Sequence, residues 1–226
     1  MREIFKQEIE QLGLDLASMA EQMSTAIGKA VTALEQADLA LAEQVIDADE
    51  KIDAIQHNID EQAVSLLARQ QPVATDLRVV ITALRMSSTL ERMGDLARHV
   101  ADVARGRYPE TAARGAGHDV LMRMGRQAVN VGDQVVRLVN TQDLDLAASI
   151  ESEDSVLDQL HEESFQVVLD ETVELPRQEI VDVVLLGRYL ERFGDHGVSI
   201  ARRISFLVTG DLTNAVATET NGTDVQ

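Results

Sequence analysis

Hydrophobic residues recur along most of this chain at the three- and four-residue spacing of an α-helix. Between residues 3 and 36 the apolar positions fall on one helical face, which predicts a long amphipathic helix. These positions are Ile9, Leu12, Leu16, Met19, Met23, Ala26, Ala30 and Leu34. Residues 38–70 have apolar positions in steps of seven, and residues 75–105 continue the helical spacing. The first half of the chain therefore predicts three long helices.

The second half repeats this plan. Three further helical patterns cover residues 118–140, a stretch that begins at Asp143 and ends near Pro176, and residues 180–208. A shift of 105 positions aligns Asp49 with Asp154, and a shift of 100 positions aligns Glu91 with Glu191. Short connections between consecutive helices favour antiparallel neighbours. The sequence predicts an all-α fold of two tandem three-helix bundles, six long helices in total.

The segments between the patterns set the boundaries of these units. Pro72 follows the second helix, and Thr75 or Asp76 is expected to cap the third. Small residues, Gly and Pro dominate the stretch between the halves. The predicted units are residues 1–107 for the first bundle, 108–117 for a linker, 118–210 for the second bundle and 211–226 for a disordered tail.

One hexapeptide occurs in the third helix of each half. It reads Leu-Glu-Arg-Met-Gly-Asp at residues 90–95 and Leu-Glu-Arg-Phe-Gly-Asp at residues 190–195. Each copy places Glu and Asp four residues apart, so both carboxylates lie on one helix face. Gly94 and Gly194 precede the Asp, and because a helical Gly costs about 1 kcal/mol relative to Ala, its recurrence predicts a close helix approach there.

Further acidic residues are positioned to join these pairs. In the third helix, Leu77, Ile81 and Ser88 continue at the same spacing into the Glu-Asp pair, so the apolar face is expected to become acidic. Acidic pairs also occur on the second and fifth helices. The candidate metal ligands are Asp49, Asp53, Glu91, Asp95, His99 and Asp102 in the first half, and Asp154, Asp158, Glu191 and Asp195 in the second.

The chemistry of these side chains limits the metals that they would hold. Clustered carboxylates are costly unless a cation, an Arg partner or a raised pKa offsets their repulsion. Oxygen ligands suit Mg, Ca, Mn or Fe, and a His such as His99 favours Fe, Mn or Zn. The alternative is that the pairs are solvated helix faces, neutralised at the surface by Arg92 and Arg98.

Composition and charge exclude several classes of function. A net charge of −19 disfavours binding to nucleic acid or to an anionic membrane and favours basic protein surfaces or metal cations. The sequence contains no Cys, and charges interrupt its first 20 residues. With no apolar run of about 20 residues, the expected location is the cytoplasm.

The sequence has no recognisable catalytic machinery. It carries no Gly-rich phosphate loop and no setting for a Ser or Cys nucleophile, so it is not expected to be an enzyme. A ferritin-like dimetal oxidase is one alternative, but that class needs Glu-x-x-His on two helices, and no Glu here precedes a His by three. A metal-free helical adaptor is the other alternative.

Three segments resemble the PhoU family of phosphate-uptake regulators: Pro72–Arg78, Leu90–Asp95 and Arg188–His196. The resemblance spans about residues 1–210, with both copies in order. It implies two three-helix bundles related by pseudo-twofold symmetry, with multinuclear metal clusters on the Glu-x-x-x-Asp motifs. It also implies a cytoplasmic adaptor that reaches the membrane only through protein partners. These partners are the ATPase subunit of a phosphate ABC transporter and a sensor histidine kinase, and the complex represses the phosphate-starvation response when phosphate is abundant. Met- and Val-rich faces permit a homodimer without demanding one.

The two halves depart differently from the family pattern. The family usually has Asn four residues after the motif Asp, where this chain has His99 and Ser199. A further acidic residue is common three positions later, and it is matched by Asp102 but replaced by Arg202. The resemblance therefore implies that the second half is poorer in ligands and holds fewer metal ions.

Overall fold

A computed structural model describes residues 2–172 and 174–211 of the chain. Six helices account for most of this part, and it contains no strand. The helices are α1 (Arg2–Gln36), α2 (Leu39–Gln70), α3 (Thr75–Arg107), α4 (Gly115–Thr141), α5 (Leu144–Leu169) and α6 (Arg177–Thr209). The predicted all-α class is confirmed. The predicted disordered tail lies outside the described residues except for its first residue.

Aspartate side chains cap the beginnings of α2 and α5. Asp143 caps α5, and its carboxylate accepts hydrogen bonds from the backbone of Asp145 and Leu146 at 2.9 and 3.3 Å. The predicted start of this helix is correct, but the helix ends at Leu169, before the predicted end near Pro176. α4 begins at Gly115, inside the stretch that the sequence assigns to a linker.

The expected cap of α3 is wrong. Thr75 and Asp76 lie inside the first turn of this helix, and the residue before it makes no side-chain capping bond. That residue, Ala74, has a positive φ of 50°. An acidic Asp76 in the first turn still interacts favourably with the positive end of the helix dipole.

The six helices pack as two three-helix bundles joined side by side. Helix α2 lies against α1 and α3, and α5 lies against α4 and α6. The bundles meet through two helix pairs, α1 with α4 and α3 with α6. At the first pair, a Cβ on Gly125 would lie 2.7 Å from Cγ1 of Val31, and one on Gly132 would lie 3.2 Å from Cγ2 of Ile27. Glycines therefore allow α1 and α4 to approach closely.

At the second pair, a buried ion pair joins the end of α3 to the beginning of α6. Asp182 is only 1% exposed, and the guanidinium of Arg107 donates to both of its carboxylate oxygens. The bond from Nη2 to Oδ1 measures 2.9 Å, and Gln178 donates a further bond to Oδ1 at 3.1 Å. Nearby in the same joint, the rings of His99 and Tyr189 lie 5.1 Å apart.

The expected burial of the Leu77 face of α3 is wrong. Leu77 is 39% exposed, and Ser88 is exposed as well. The buried face of α3 instead follows Val80, Ala83, Met86, Leu90, Met93, Ala97, Val100 and Ala104. Because α3 packs against α1, α2 and α6 together, its core face is broader than one apolar row and is rotated from the predicted one. The acidic pair of α3 therefore lies at the edge of the bundle.

No helix within the described residues is long and apolar enough to span a membrane.

Candidate functional site

The repeated hexapeptide brings α3 close to α2 in the first half. A Cβ on Gly94 would lie 2.9 Å from Cδ1 of Ile52 and 3.8 Å from a carboxylate oxygen of Asp49. The absence of a side chain at this position lets α2 approach α3. As a result, an acidic residue of α2 is held beside the Glu-Asp pair of α3.

The second half repeats this arrangement. A Cβ on Gly194 would lie 2.6 Å from Cδ1 of Leu157 and 3.6 Å from a carboxylate oxygen of Asp154. The close approach predicted from the recurring glycine is confirmed in both halves. The duplication thus produces two acidic faces, one between α2 and α3 and one between α5 and α6.

In the first half, an arginine lies among the carboxylates. Nε of Arg98 is 2.6 Å from Oδ2 of Asp49 on α2, and Nη2 donates to Oδ1 of Asp95 at 2.9 Å. Nη1 of the same guanidinium is 3.5 Å from Asp102, which also pairs with Arg105 at 2.9 Å. Burial still raises the pKa of Asp49, although the charge of Arg98 opposes the shift. Arg98 therefore supplies the positive charge that links α2 to α3 at the first acidic face.

Glu91 and Asp53, in contrast, form no ion pair with Arg98 in the described structure. The side chain of Glu91 is 18% exposed, and Arg92 lies 3.6 Å from it. Burial raises the pKa of Glu91, the negative charge of Asp95 adds to the shift, and Arg92 opposes it. Asp53 is exposed to solvent. Within this half, Asp49 and Asp95 are the two carboxylates that one cationic side chain brings together across the helix pair.

His99 packs against α6, whereas the carboxylates of α3 lie beside α2. Its ring packs against Tyr189 of α6, in the joint between the two bundles. Its Nδ1 atom is buried and makes no hydrogen bond within the described part of the chain. The structure thus places this predicted ligand in an aromatic contact of the α3–α6 pair.

In the second half, two aspartates have pKa values well above the ordinary value of an aspartate. Burial raises the pKa of Asp154 to about 6, and the charges of Asp158 and Asp195 add to the shift. The pKa of Asp195 is also raised to about 6, first by desolvation and then by the charges of Glu191 and Asp158. Asp195 and Asp158 are nevertheless exposed to solvent, so Asp154 is the least exposed of the three aspartates.

In the described part of this half, arginines pair with glutamates and not with Asp154 or Asp195. Arg188 donates to both oxygens of Glu191 at 2.9 and 2.8 Å, and burial still raises the pKa of Glu191. Arg202 pairs with Glu151 at 3.2 Å. Within the described ranges, no Lys or Arg nitrogen lies within the 4.0 Å ion-pair distance of Asp154 or Asp195. The two halves therefore differ in how their negative charge is offset.

The side chains as placed do not form a finished metal site. Within residues 2–172 and 174–211, no group of three or more His, Asp or Glu side chains is arranged to hold a metal ion. The donor chemistry nevertheless differs between the halves. The oxygens of Asp154 and Asp195 are partly desolvated without a paired cation, which suits a hard metal ion. The oxygens of Asp49 and Asp95 are already bonded to Arg98, which does not suit one.

The sequence predicted the acidic faces and offered Arg98 as a surface partner of the α3 pair, but it did not predict the contact of Arg98 with α2. Its spacing of three from Asp95 indicates a surface pair on one helix, and the structure adds a contact to Asp49 on another helix. That contact depends on the distance between α2 and α3, which no local spacing reveals. One signal was present in the sequence, because the repeat aligns Arg98 with Val198 and thus marks a charge present in one half only.

A substitution of Asp154 by Asn tests the electrostatics of the second face in metal-free protein. A carboxyl whose pKa is raised on folding favours folding while protonated, so its contribution is lost as pH rises from about 4 to 6. We expect D154N to gain about 1–2 kcal/mol of stability relative to the unsubstituted chain over that window, because solvent screens part of the effect at this half-buried carboxyl. Urea unfolding with a chelator at pH 4, 5, 6 and 7 measures the difference. The facing charges are Asp158, Asp195 and Arg202.

Glu162→Gln is the matched control, since it removes one exposed carboxylate from the same helix. Its stability relative to the unsubstituted chain should change little with pH, because solvent screens an exposed charge. A D154N difference that is equally flat between pH 4 and 7 contradicts the prediction.

The fold and these faces define a class of protein. It is a duplicated all-helical protein of two three-helix bundles, with an acidic face between the second and third helix of each. A family model described as the PhoU domain matches residues 16–104 and 121–204. The chain belongs to the PhoU family, so the resemblance seen in the sequence is confirmed.

Known proteins similar to this chain cover almost all of it. A phosphate-specific transport system accessory protein PhoU homolog 2 from Mycobacterium bovis is 41% identical over 210 residues, which span 93% of this chain and 99% of that protein. A PhoU homolog 1 from Mycobacterium leprae is 40% identical over 210 residues, covering 93% of this chain and 95% of that protein. The crystal structure of PhoU from Pseudomonas aeruginosa superposes with a TM-score of 0.83 at 32% identity, covering 92% of this chain and all (100%) of that one.

Proposed function

We propose that this protein is an adaptor that represses the phosphate-starvation response when phosphate is abundant. In this proposal it contacts the ATPase subunit of a phosphate ABC transporter and a sensor histidine kinase, and it catalyses no reaction. The observation that carries the proposal is the similarity, 41% over 210 residues, to a relative named as an accessory protein of phosphate-specific transport. The chain is associated with phosphate transport by its family, and the adaptor role is the more specific inference.

The charge of the molecule favours partners with basic surfaces. A net charge of −19 creates a negative field around the molecule, which would steer it toward basic patches and speed association at low salt. Added salt should therefore slow the association with its partners more than it changes the lifetime of the complex. The same field disfavours direct contact with an anionic lipid surface, so contact with the membrane would come through protein partners.

We also propose that the second acidic face binds metal. Asp154, Asp158, Glu191 and Asp195 would hold a divalent or trivalent ion, with Mg, Mn, Fe and Zn as the candidates. Such an ion would neutralise carboxylates whose pKa values burial and mutual repulsion now raise. Because the ligands come from α5 and α6, bound metal would also fasten these helices together.

The adaptor proposal is tested by capture from cells. Cells grown with ample phosphate are crosslinked, and the proteins attached to this chain are identified by mass spectrometry. We expect the transporter ATPase or the sensor kinase in phosphate-rich cells and a clear loss of both under starvation. If neither is recovered under conditions that capture other weak complexes, the proposal fails.

A metal-free adaptor is the second candidate, because the described side chains form no finished metal site. The two candidates are separated by a variant in which the four carboxylates of the second face become Asn or Gln. A phosphate-regulated reporter then shows whether repression survives. Retained repression with an unchanged melting temperature supports the metal-free adaptor. Lost repression in a folded variant, with a normal response in Glu162→Gln, supports a functional role for the acidic face.

A further inference from the structure

Among the positions at which the two acidic faces differ, position 98 is the one where an arginine contacts both helices of a face. The shift of 100 that aligns Glu91 with Glu191 and Asp95 with Asp195 also aligns Arg98 with Val198. Val198 is apolar and only 5% exposed. A permanent positive charge is therefore built into the first half and is absent from the same position in the second.

Arg98 is bonded to the oxygens that a metal ion in the first half would need. Its Nε atom lies 2.6 Å from Asp49 on α2, and its Nη2 atom donates to Asp95 on α3 at 2.9 Å. These are charge-assisted bonds, and the planar guanidinium makes one to each helix at the same time. The side chain is 30% exposed, so it lies in the site and does not extend away into solvent.

An arginine in this position opposes metal binding in two ways. A metal ion would have to displace bonds that are tethered to the same helix and therefore always present at high effective concentration. It would also have to bind beside a guanidinium that cannot lose its proton, because arginine stays charged at any pH at which the protein is folded. At the second face, such bonds reach Glu191, through Arg188 on the same helix. No Lys or Arg nitrogen of the described structure lies within ion-pair distance of Asp154 or Asp195, where Arg188, Arg192 and Arg202 act only from farther away.

We propose that Arg98 takes the place of metal in the first half, so that this chain binds metal only at its second acidic face. This inference rests on the metal binding proposed above and assigns it to one half. It reverses the occupancy that the resemblance implies, in which the first half is the richer site. The count of acidic residues favours the first half, but the position of Arg98 between Asp49 and Asp95 decides against it.

The experiment replaces Arg98 by the residue that the other half carries. Mn²⁺ is titrated into the full chain and into Arg98→Val, and bound ions are counted by calorimetry and native mass spectrometry. We expect R98V to bind about one more Mn²⁺ than the unsubstituted chain, and this gain to disappear when Asp49→Asn and Asp95→Asn are added. The melting temperature of R98V should fall in chelator and recover with Mn²⁺, since the ion restores the lost positive charge.

Arg105→Val is the matched control. It removes an arginine of the same helix that pairs with Asp102 but has no ion pair to Asp49. It should leave the Mn²⁺ count unchanged. A gain of metal in R105V equal to that in R98V would show that net charge alone controls binding, and it would overturn the assignment to Arg98.

The other outcomes separate this inference from the proposed metal binding. If the unsubstituted chain binds Mn²⁺ at the second face and R98V gains none, the inference fails while metal binding stands. The inference also fails if D49N with D95N lowers the Mn²⁺ count of the unsubstituted chain. If only R98V binds, the role of Arg98 is supported and binding at the second face is overturned. If neither protein binds Mn²⁺, both are overturned.

Discussion

Arg107→Ala is expected to lower the free energy of unfolding by about 3–5 kcal/mol, because it leaves a buried carboxylate without its cation. Asp182 is 1% exposed, and Arg107 binds both of its oxygens. After the substitution, only the amide of Gln178 would still donate to this carboxylate from a side chain in the described structure. The ion pair joins α3 to α6, so its loss should also weaken the joint between the bundles. Urea unfolding followed by circular dichroism measures the change.

Two further variants show whether the effect comes from the unpaired charge. Arg105→Ala removes an exposed arginine two residues away and should cost less than about 1 kcal/mol. Replacing both partners by Leu should recover much of the stability, because an apolar pair needs no compensating charge. If the single substitution costs no more than Arg105→Ala, the buried pair does not stabilise the joint as described.

Phe193→Ala is expected to destabilise the protein by about 3–5 kcal/mol, through lost apolar burial and the cavity that remains. Phe193 is fully buried, with 0% of its surface exposed, and it lies between Glu191 and Asp195 on α6. The resulting cavity would loosen the helix that carries both carboxylates. Thermal and urea unfolding measure the loss, and capture of partners from phosphate-rich cells should decline with it.

Phe165→Ala is the control with the same chemical change at the surface. Phe165 is 39% exposed and contacts the ring of His161, with centroids 4.9 Å apart. We expect its removal to cost about 1 kcal/mol or less. Similar losses for the two substitutions would contradict the prediction, because the expected cost comes from the burial of Phe193 and not from the loss of an aromatic ring.

The long helices could be predicted from the sequence because their signal is local. Apolar spacing fixes the extent of α1, and Asp143 marks the beginning of α5 through bonds to its own neighbours. The buried face of α3 could not be predicted in the same way. Three helices pack around α3, so several of its sides are buried and a single apolar row gives the wrong orientation, as the exposed Leu77 shows.

In the candidate site, too, local features could be predicted and contacts between helices could not. The sequence by itself determined that each half carries an acidic pair and a glycine, since these follow from the duplication and from helical spacing. Only the tertiary structure decided which charges meet. The approach of α2 to α3 at Gly94 brings Asp49 within 2.6 Å of Arg98. The equivalent approach at Gly194 leaves Asp154 without an ion-pair partner among the described residues. The reason is physical: helical spacing specifies neighbours along one helix, but ion pairing between helices depends on how closely and at which positions they pack.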